Sequence, residues 1–415
     1  MNHRFFLLLI CAALLAALSD CAPGGPAPAP AASATAITPT PTARPTFTPE
    51  PEASPTPEPQ AGPTLLPTAA APENPAPAAV VYGPRDFPAN VSPLTGLTAA
   101  DPALLERRPL AVKVQMFPRG QRPPWGISQA DLVFDYYQNF GLTRLHAIFY
   151  SQDVEQVGPV RSARLLDVEL VKMYKTIFAF GSAEQRTYSK LFNQAFADRL
   201  VVEGNANCPP LCRVEPDSYN YLLANTAELG RYVAGKGVDN SRQDLRGMSF
   251  NSAAPDGGMP VGQLFTRFSI SSYNYWNYDS ASGRYLRFQD VQEAMDSASE
   301  AFEPLVDRAN GQQIAADNVV VLIVPHQYVF NTHPGPSEVV EILLSGSGPG
   351  IALRNGLAYQ VNWNRPSADA VVSLTFPDGT PFPLQPGVTW FEVLGKTSKI
   401  DSSVPGILRI IHAIP

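Results

Sequence analysis

From Leu110 to Gln115 the chain sets Leu, Val and Val against Ala, Lys and Gln, and this period of two predicts a strand. Residues 132–137 and 145–150 are further β-rich runs, and Asn139-Phe140-Gly141 between them predicts a hairpin. Gly158-Pro159 opens a helical pattern that runs to about Tyr174, with proline at a first helical position and Leu165, Leu166, Val168, Val171 and Met173 as its apolar positions. Residues 176–181 form another short strand pattern. Ser182 with Gln185 makes a capping box for a following helix. Asn225 caps the next, with Gly237 just beyond its end. Strands and helices mixed in this order predict an α/β N-terminal domain over 91–250.

The pattern then becomes mostly β. Residues 265–269, 273–278 and 284–288 read as strands, the last two joined by Ser280-Ala281-Ser282-Gly283. Residues 290–309 look more helical and inserted. Asn318–Val324 is a continuous apolar run of the kind buried on both faces. Asn355-Gly356 and Asp378-Gly379 are hairpin signals. The expectation is an α+β, mostly antiparallel β C-terminal domain over 260–415.

The first ninety residues are different material. His3 and Arg4 precede an apolar run from Phe5 to Leu18, too short to span a bilayer and suited to an export signal over 1–21. Leu18-Ser19-Asp20-Cys21 resembles a lipobox whose Cys21 is the lipidation site, although Asp20 stands where a small residue is usual. Residues 22–90 hold nineteen of the chain's 43 prolines among Ala, Thr and Ser, which predicts a disordered stalk that cannot build a core. The expected location is extracytoplasmic, anchored to the cell membrane through an N-terminal lipid. With a net charge of −7 and no basic cluster, nucleic acid is not an expected partner.

Five segments occur in a specific order: Pro93-Leu94-Thr95-Gly96-Leu97, Arg108-Pro109-Leu110-Ala111-Val112, Ala130-Asp131-Leu132-Val133-Phe134, Gly141-Leu142-Thr143-Arg144-Leu145 and Gly158-Pro159-Val160-Arg161-Ser162-Ala163-Arg164. With Gly387-Val388-Thr389-Trp390 near the other end, the chain resembles the YerB-like bacterial lipoprotein family, a two-part domain of unknown function. The resemblance implies an N-terminal α/β part and a C-terminal β-rich part on a lipid-anchored body, and it supplies no reaction. Two departures stand out: Asp135 where glutamate is usual, and the inserted segment Asp290 to Phe302.

Arg161 and Arg164 carry the most informative chemistry. In the first turn of a helix their charge opposes the helix dipole and calls for an anion. Either they form a structural ion network with Asp131, Asp135 and Arg144, or the same five residues form a ligand site, with Asp135 as an acid or base if it escapes tight pairing. Cys208 and Cys212 suggest a local disulfide outside the cytoplasm rather than half a zinc site. His146, His326, His333 and His412 follow no metal-ligand spacing, so no metal and no cofactor are expected. Tyr273, Tyr275, Trp276 and Tyr278 alternate across one strand and suit core packing or sugar stacking. With no complete catalytic constellation, the leading expectation is a non-enzymatic envelope protein binding peptidoglycan, another wall component, an anionic ligand or an envelope protein. The alternative is an enzyme acting on an anionic envelope substrate through the Asp/Arg cluster.

Overall fold

The structure is a computed structural model that describes residues 81–415; the export signal, Cys21 and residues 22–80 of the expected stalk lie outside the described residues. The folded body starts earlier than residue 91. Val81–Tyr82 pairs antiparallel with Ser249–Asn251, and the Phe87 ring meets Phe250 at 6.3 Å. Among the described residues no helix is long and apolar enough to cross a membrane.

The main strands of the two largest sheets are β1 (Leu110–Gln115), β2 (Leu132–Asn139), β3 (Leu142–Phe149), β4 (Ile177–Phe180), β5 (Leu200–Val202), β6 (Met259–Arg267), β7 (Tyr273–Asp279) and β8 (Arg284–Asp290). They continue with β9 (Asn318–Val324), β10 (Gly346–Arg354), β11 (Leu357–Arg365), β12 (Ser373–Thr375), β13 (Thr389–Gly395), β14 (Lys399–Asp401) and β15 (Gly406–Ile411). Helices are α1 (Leu165–Tyr174), α2 (Gln185–Phe192) and α3 (Thr226–Gly235). A large mixed sheet runs β5-β4-β1-β3-β2-β13-β9-β10-β11-β12. A second, smaller sheet runs β14-β15-β6-β7-β8.

β13 joins the two halves of the sequence. It lies parallel between β9 and β2, so Glu392 stands opposite Asp135 and Phe391 opposite Phe134. Alternation then sorts the large sheet into two faces. One carries Lys113, Phe134, Tyr136, His146 and Phe391 and is covered by α1, whose Tyr174 ring meets Phe134 at 5.7 Å. The other carries Val133, Asp135, Trp390 and Glu392 and is covered by the second sheet, where Trp276 meets Trp390 edge-on at 5.1 Å. Cover on both sides explains why all six residues of β1 are buried, Lys113 included, and why the apolar run of β9 is buried throughout.

Several local expectations change. Residues 158–164 are extended, not helical. Along β1, β4 pairs with Leu110–Val112 alone, and the 158–164 segment fills the vacated edge of β1: Arg161 N–H donates to Lys113 O at 2.9 Å and Gln115 N–H to Pro159 O at 3.0 Å. α1 therefore starts at Leu165, with Arg164 N–H donating to the Asp167 carboxylate at 2.6 Å. α2 is capped by Glu184 rather than Ser182. Residues 290–309 contain no helix, because β8 continues through Asp290 and Phe302–Pro304 folds back on it. Asn225 does cap α3, and Gly237 follows its end in a left-handed conformation.

Candidate functional site

The five residues singled out in the sequence occupy three places. Asp131 closes the open end of the β2–β3 hairpin, accepting from the Tyr150 N–H at 2.6 Å, the Ser151 N–H at 3.1 Å and the Ser151 hydroxyl. Burial pushes its pKa up against those bonds. Asp135 faces the other sheet and binds Arg287 Nη2 at 2.6 Å. Neither aspartate pairs with Arg144, Arg161 or Arg164. Alternation is the reason: Tyr136, not Asp135, stands opposite Arg144.

The arginines do converge with one another. Arg144 Nη1 donates to the Ser162 carbonyl at 2.7 Å, and Arg164 Nη1 reaches the same carbonyl at 3.4 Å and Ala163 O at 2.9 Å. Arg161 donates to its neighbour's carbonyl, Val160 O, at 3.0 Å and to Gln121 Oε1 at 2.8 Å. Gln121 in turn accepts from Gln115, the cross-strand neighbour of Arg144. All three arginines are half-buried. Among the described residues none has a carboxylate within ion-pair distance. Burial first, then the charges of Arg164 and Arg161, pushes Arg144 down to about 9, so it remains charged at neutral pH. Beyond ion-pair distance, Asp167 acts on Arg164 and Arg144, Glu184 on Arg164 and Glu203 on Arg161.

Behind the arginines lies a fully buried polar group that the sequence reading missed. Tyr136 OH accepts from Lys113 Nζ and donates to Asp167 Oδ1; Lys113 Nζ is 3.4 Å and His146 Nδ1 2.8 Å from the same oxygen. Burial lowers Lys113 to about 7 against the pull of Asp167, with Arg144 and Arg164 lowering it further. Burial alone would raise Asp167, but Lys113 and the His146 hydrogen bond outweigh it and hold that carboxyl below its usual range. His146 is lowered by burial and stacks on Phe178 at 4.9 Å, and its Nε2 has no hydrogen-bond partner among the described residues. The available signal was the lysine in Val112-Lys113-Val114, a strand with apolar neighbours on both sides in the sheet.

A second buried charge cluster locks the sheets together. Arg287 binds Asp135 and, at 2.8 Å, Glu392 Oε1, which also accepts from Trp276 Nε1 at 2.9 Å. The guanidinium lies 4.6 Å from the Trp390 ring and 5.1 Å from that of Trp276. Burial, reinforced by Asp135, raises Glu392 to about 7.

Cys208 and Cys212 are bonded, with Cα atoms 4.9 Å apart. Among the described residues no group of His, Cys, Asp and Glu is arranged to hold a metal. His326 and His412 pack ring to ring at 5.0 Å, and His333 binds Glu338. Phe265, Tyr275 and Phe288 stack on one another, at 4.9 and 4.4 Å, and Phe302 meets Tyr275 edge-on. Tyr275 thus stacks on two partners within the protein.

This architecture has known counterparts. Residues 94–239 match the family described as "Protein of unknown function (DUF3048) N-terminal domain", and residues 264–391 match its C-terminal domain. The crystal structure of YerB protein from Bacillus subtilis shares the fold, with a TM-score of 0.58 at 23% identity over 73% of this chain and 96% of that one. Fold and matched halves together define a two-part protein, α/β followed by mostly antiparallel β. In sequence, the chain is 26% identical over 317 residues to "Putative lipoprotein YerB" of Bacillus subtilis (strain 168), covering 73% of this chain and 86% of that protein. The chain belongs to the YerB-like family.

Proposed function

We propose that this protein is an exported lipoprotein, anchored through Cys21 and raised on its proline-rich segment, whose body binds an anionic group of the cell envelope at Arg144, Arg161 and Arg164. The observation that carries the reading is two half-buried guanidinium groups, Arg144 and Arg164, on one backbone carbonyl, with the half-buried Arg161 bound to Val160 O and Gln121 beside them and no carboxylate in ion-pair contact with any of the three among the described residues. Like charges held together in a partly desolvated place repel, and a phosphate or carboxylate would offset that repulsion with bidentate, charge-assisted hydrogen bonds. The buried Lys113, Tyr136, Asp167 and His146 tie β3, which carries Arg144, to the start of α1, which Arg164 precedes. The lipoprotein name of the Bacillus subtilis relative supports the anchor, as does the lipobox-like end of the leader. The anionic partner fits a wall polymer such as peptidoglycan or its attached anionic chains.

The reading is tested by thermal unfolding with and without inorganic phosphate. A ligand that binds only the folded state raises the melting temperature by mass action. Wild type gains stability with phosphate and Arg161→Ala gains less; equal gains in both would sink the site.

A further inference from the structure

At one corner the two sheets diverge. β6 begins beside β11, with Met259 and Pro260 opposite Ala358 and Leu357, and continues beside β15 after an irregularity between Val261 and Gln263. A bulge of this kind bends a strand away from its first neighbour. Between β10–β11 and the β14–β15 hairpin it leaves a cavity of about 600 Å³. Val261, Val361 and Leu408 line it from within, while Met259 and Ile400, 57% and 49% exposed, form its rim. An apolar hollow with an exposed apolar rim suits an apolar ligand, and its size falls in the range of small-molecule sites, about 300–1,000 Å³. Lys396 is the charged side chain in the lining, and it has no ion pair among the described residues; Ser398 follows it on the stretch between β13 and β14, and Ser402 lies beyond β14 in the turn to β15.

We propose that this wedge binds an amphiphile with one extended apolar chain and one anionic head, the chain lying between the sheets and the head at Lys396. Charge complementarity selects the head, and the apolar lining selects the chain. The wedge is independent of the arginine site: β11 lies five strand positions from β3, roughly 24 Å across the sheet.

The test is calorimetric titration with laurate, below its micelle concentration, of the chain carrying Cys21→Ser, so that no lipid of its own competes. Saturable binding at one site is expected. Lys396→Ala should weaken laurate about threefold and leave dodecanol unchanged, since an exposed ion pair contributes modestly. Gln360→Trp and Ser402→Trp, at exposed lining positions, should each abolish both ligands without lowering the melting temperature. Arg161→Ala should leave laurate binding intact, which separates this site from the anionic one. No saturable laurate binding, or binding that survives both tryptophan variants, overturns the proposal. Equal losses of laurate and dodecanol in Lys396→Ala overturn the assignment of the head. Concentration-dependent self-association that is lost in Gln360→Trp, with no laurate binding, would make a second copy the occupant instead.

Discussion

Arg161 has an amide partner in Gln121 and no acid within ion-pair reach among the described residues, and burial holds its pKa below the usual arginine range. A residue retained for stability should cost stability when neutralised. A residue retained for a ligand should not. Arg161→Gln keeps hydrogen-bonding capacity and removes one of three neighbouring charges, so it should raise unfolding stability in phosphate-free buffer by up to about 1 kcal/mol. Denaturant unfolding checks this, and a loss above that size would favour a structural ion network. The sequence pointed to Arg144, Arg161 and Arg164 because two arginines so close before an apolar helical pattern call for an anion. It misjudged their company: Asp135 lies one residue from Tyr136, and one residue along a strand is the opposite face.

At the level of elements, α1 is fastened through the side chain of Asp167, which accepts the Arg164 N–H and faces Lys113, Tyr136 and His146. Asp167→Asn leaves the Lys113 ammonium buried without its counter-charge and should cost about 3–5 kcal/mol. Adding Lys113→Met should recover part of that loss, a coupling that a double-mutant cycle measures; additive losses would contradict the buried pair. Asn225→Ala, removing the cap of α3, should cost about 1 kcal/mol. Most elements were legible: the β2–β3 hairpin, the doubly buried β9, the Asn355-Gly356 turn between β10 and β11, and the capped α3. The 158–164 segment was not, since helix patterning there is overridden by hydrogen bonds to β1 and to Leu222, partners far away in the sequence. Lys113 escaped notice for a related reason. Alternation within one strand says nothing of whether a helix covers its polar side.

For the whole molecule, the Asp135–Arg287–Glu392 cluster ties residues from both matched halves into one interior. Its partners stand 152 and 105 residues apart, beyond any local pattern. Glu392 is raised from 4.5 to about 7 in the folded state. The folded protein therefore binds more protons than the unfolded chain between those values. This contribution is fully present below about pH 4.5, is lost as pH rises towards 7, and amounts to about 3 kcal/mol at most. Glu392→Gln keeps both hydrogen bonds and should flatten the wild-type slope over that window; an unchanged slope in denaturant titrations at several pH values would refute the shift. Arg287→Met, which strands two buried carboxylates, should destabilise by about 3–5 kcal/mol. Such a locked interior supplies a rigid platform for the arginines on its rim. The direct test of that platform is calorimetric titration of wild type and Arg161→Ala with soluble anionic wall fragments. The account predicts binding that weakens with added salt and falls at least about tenfold in the variant; equal affinities for the two proteins would contradict it.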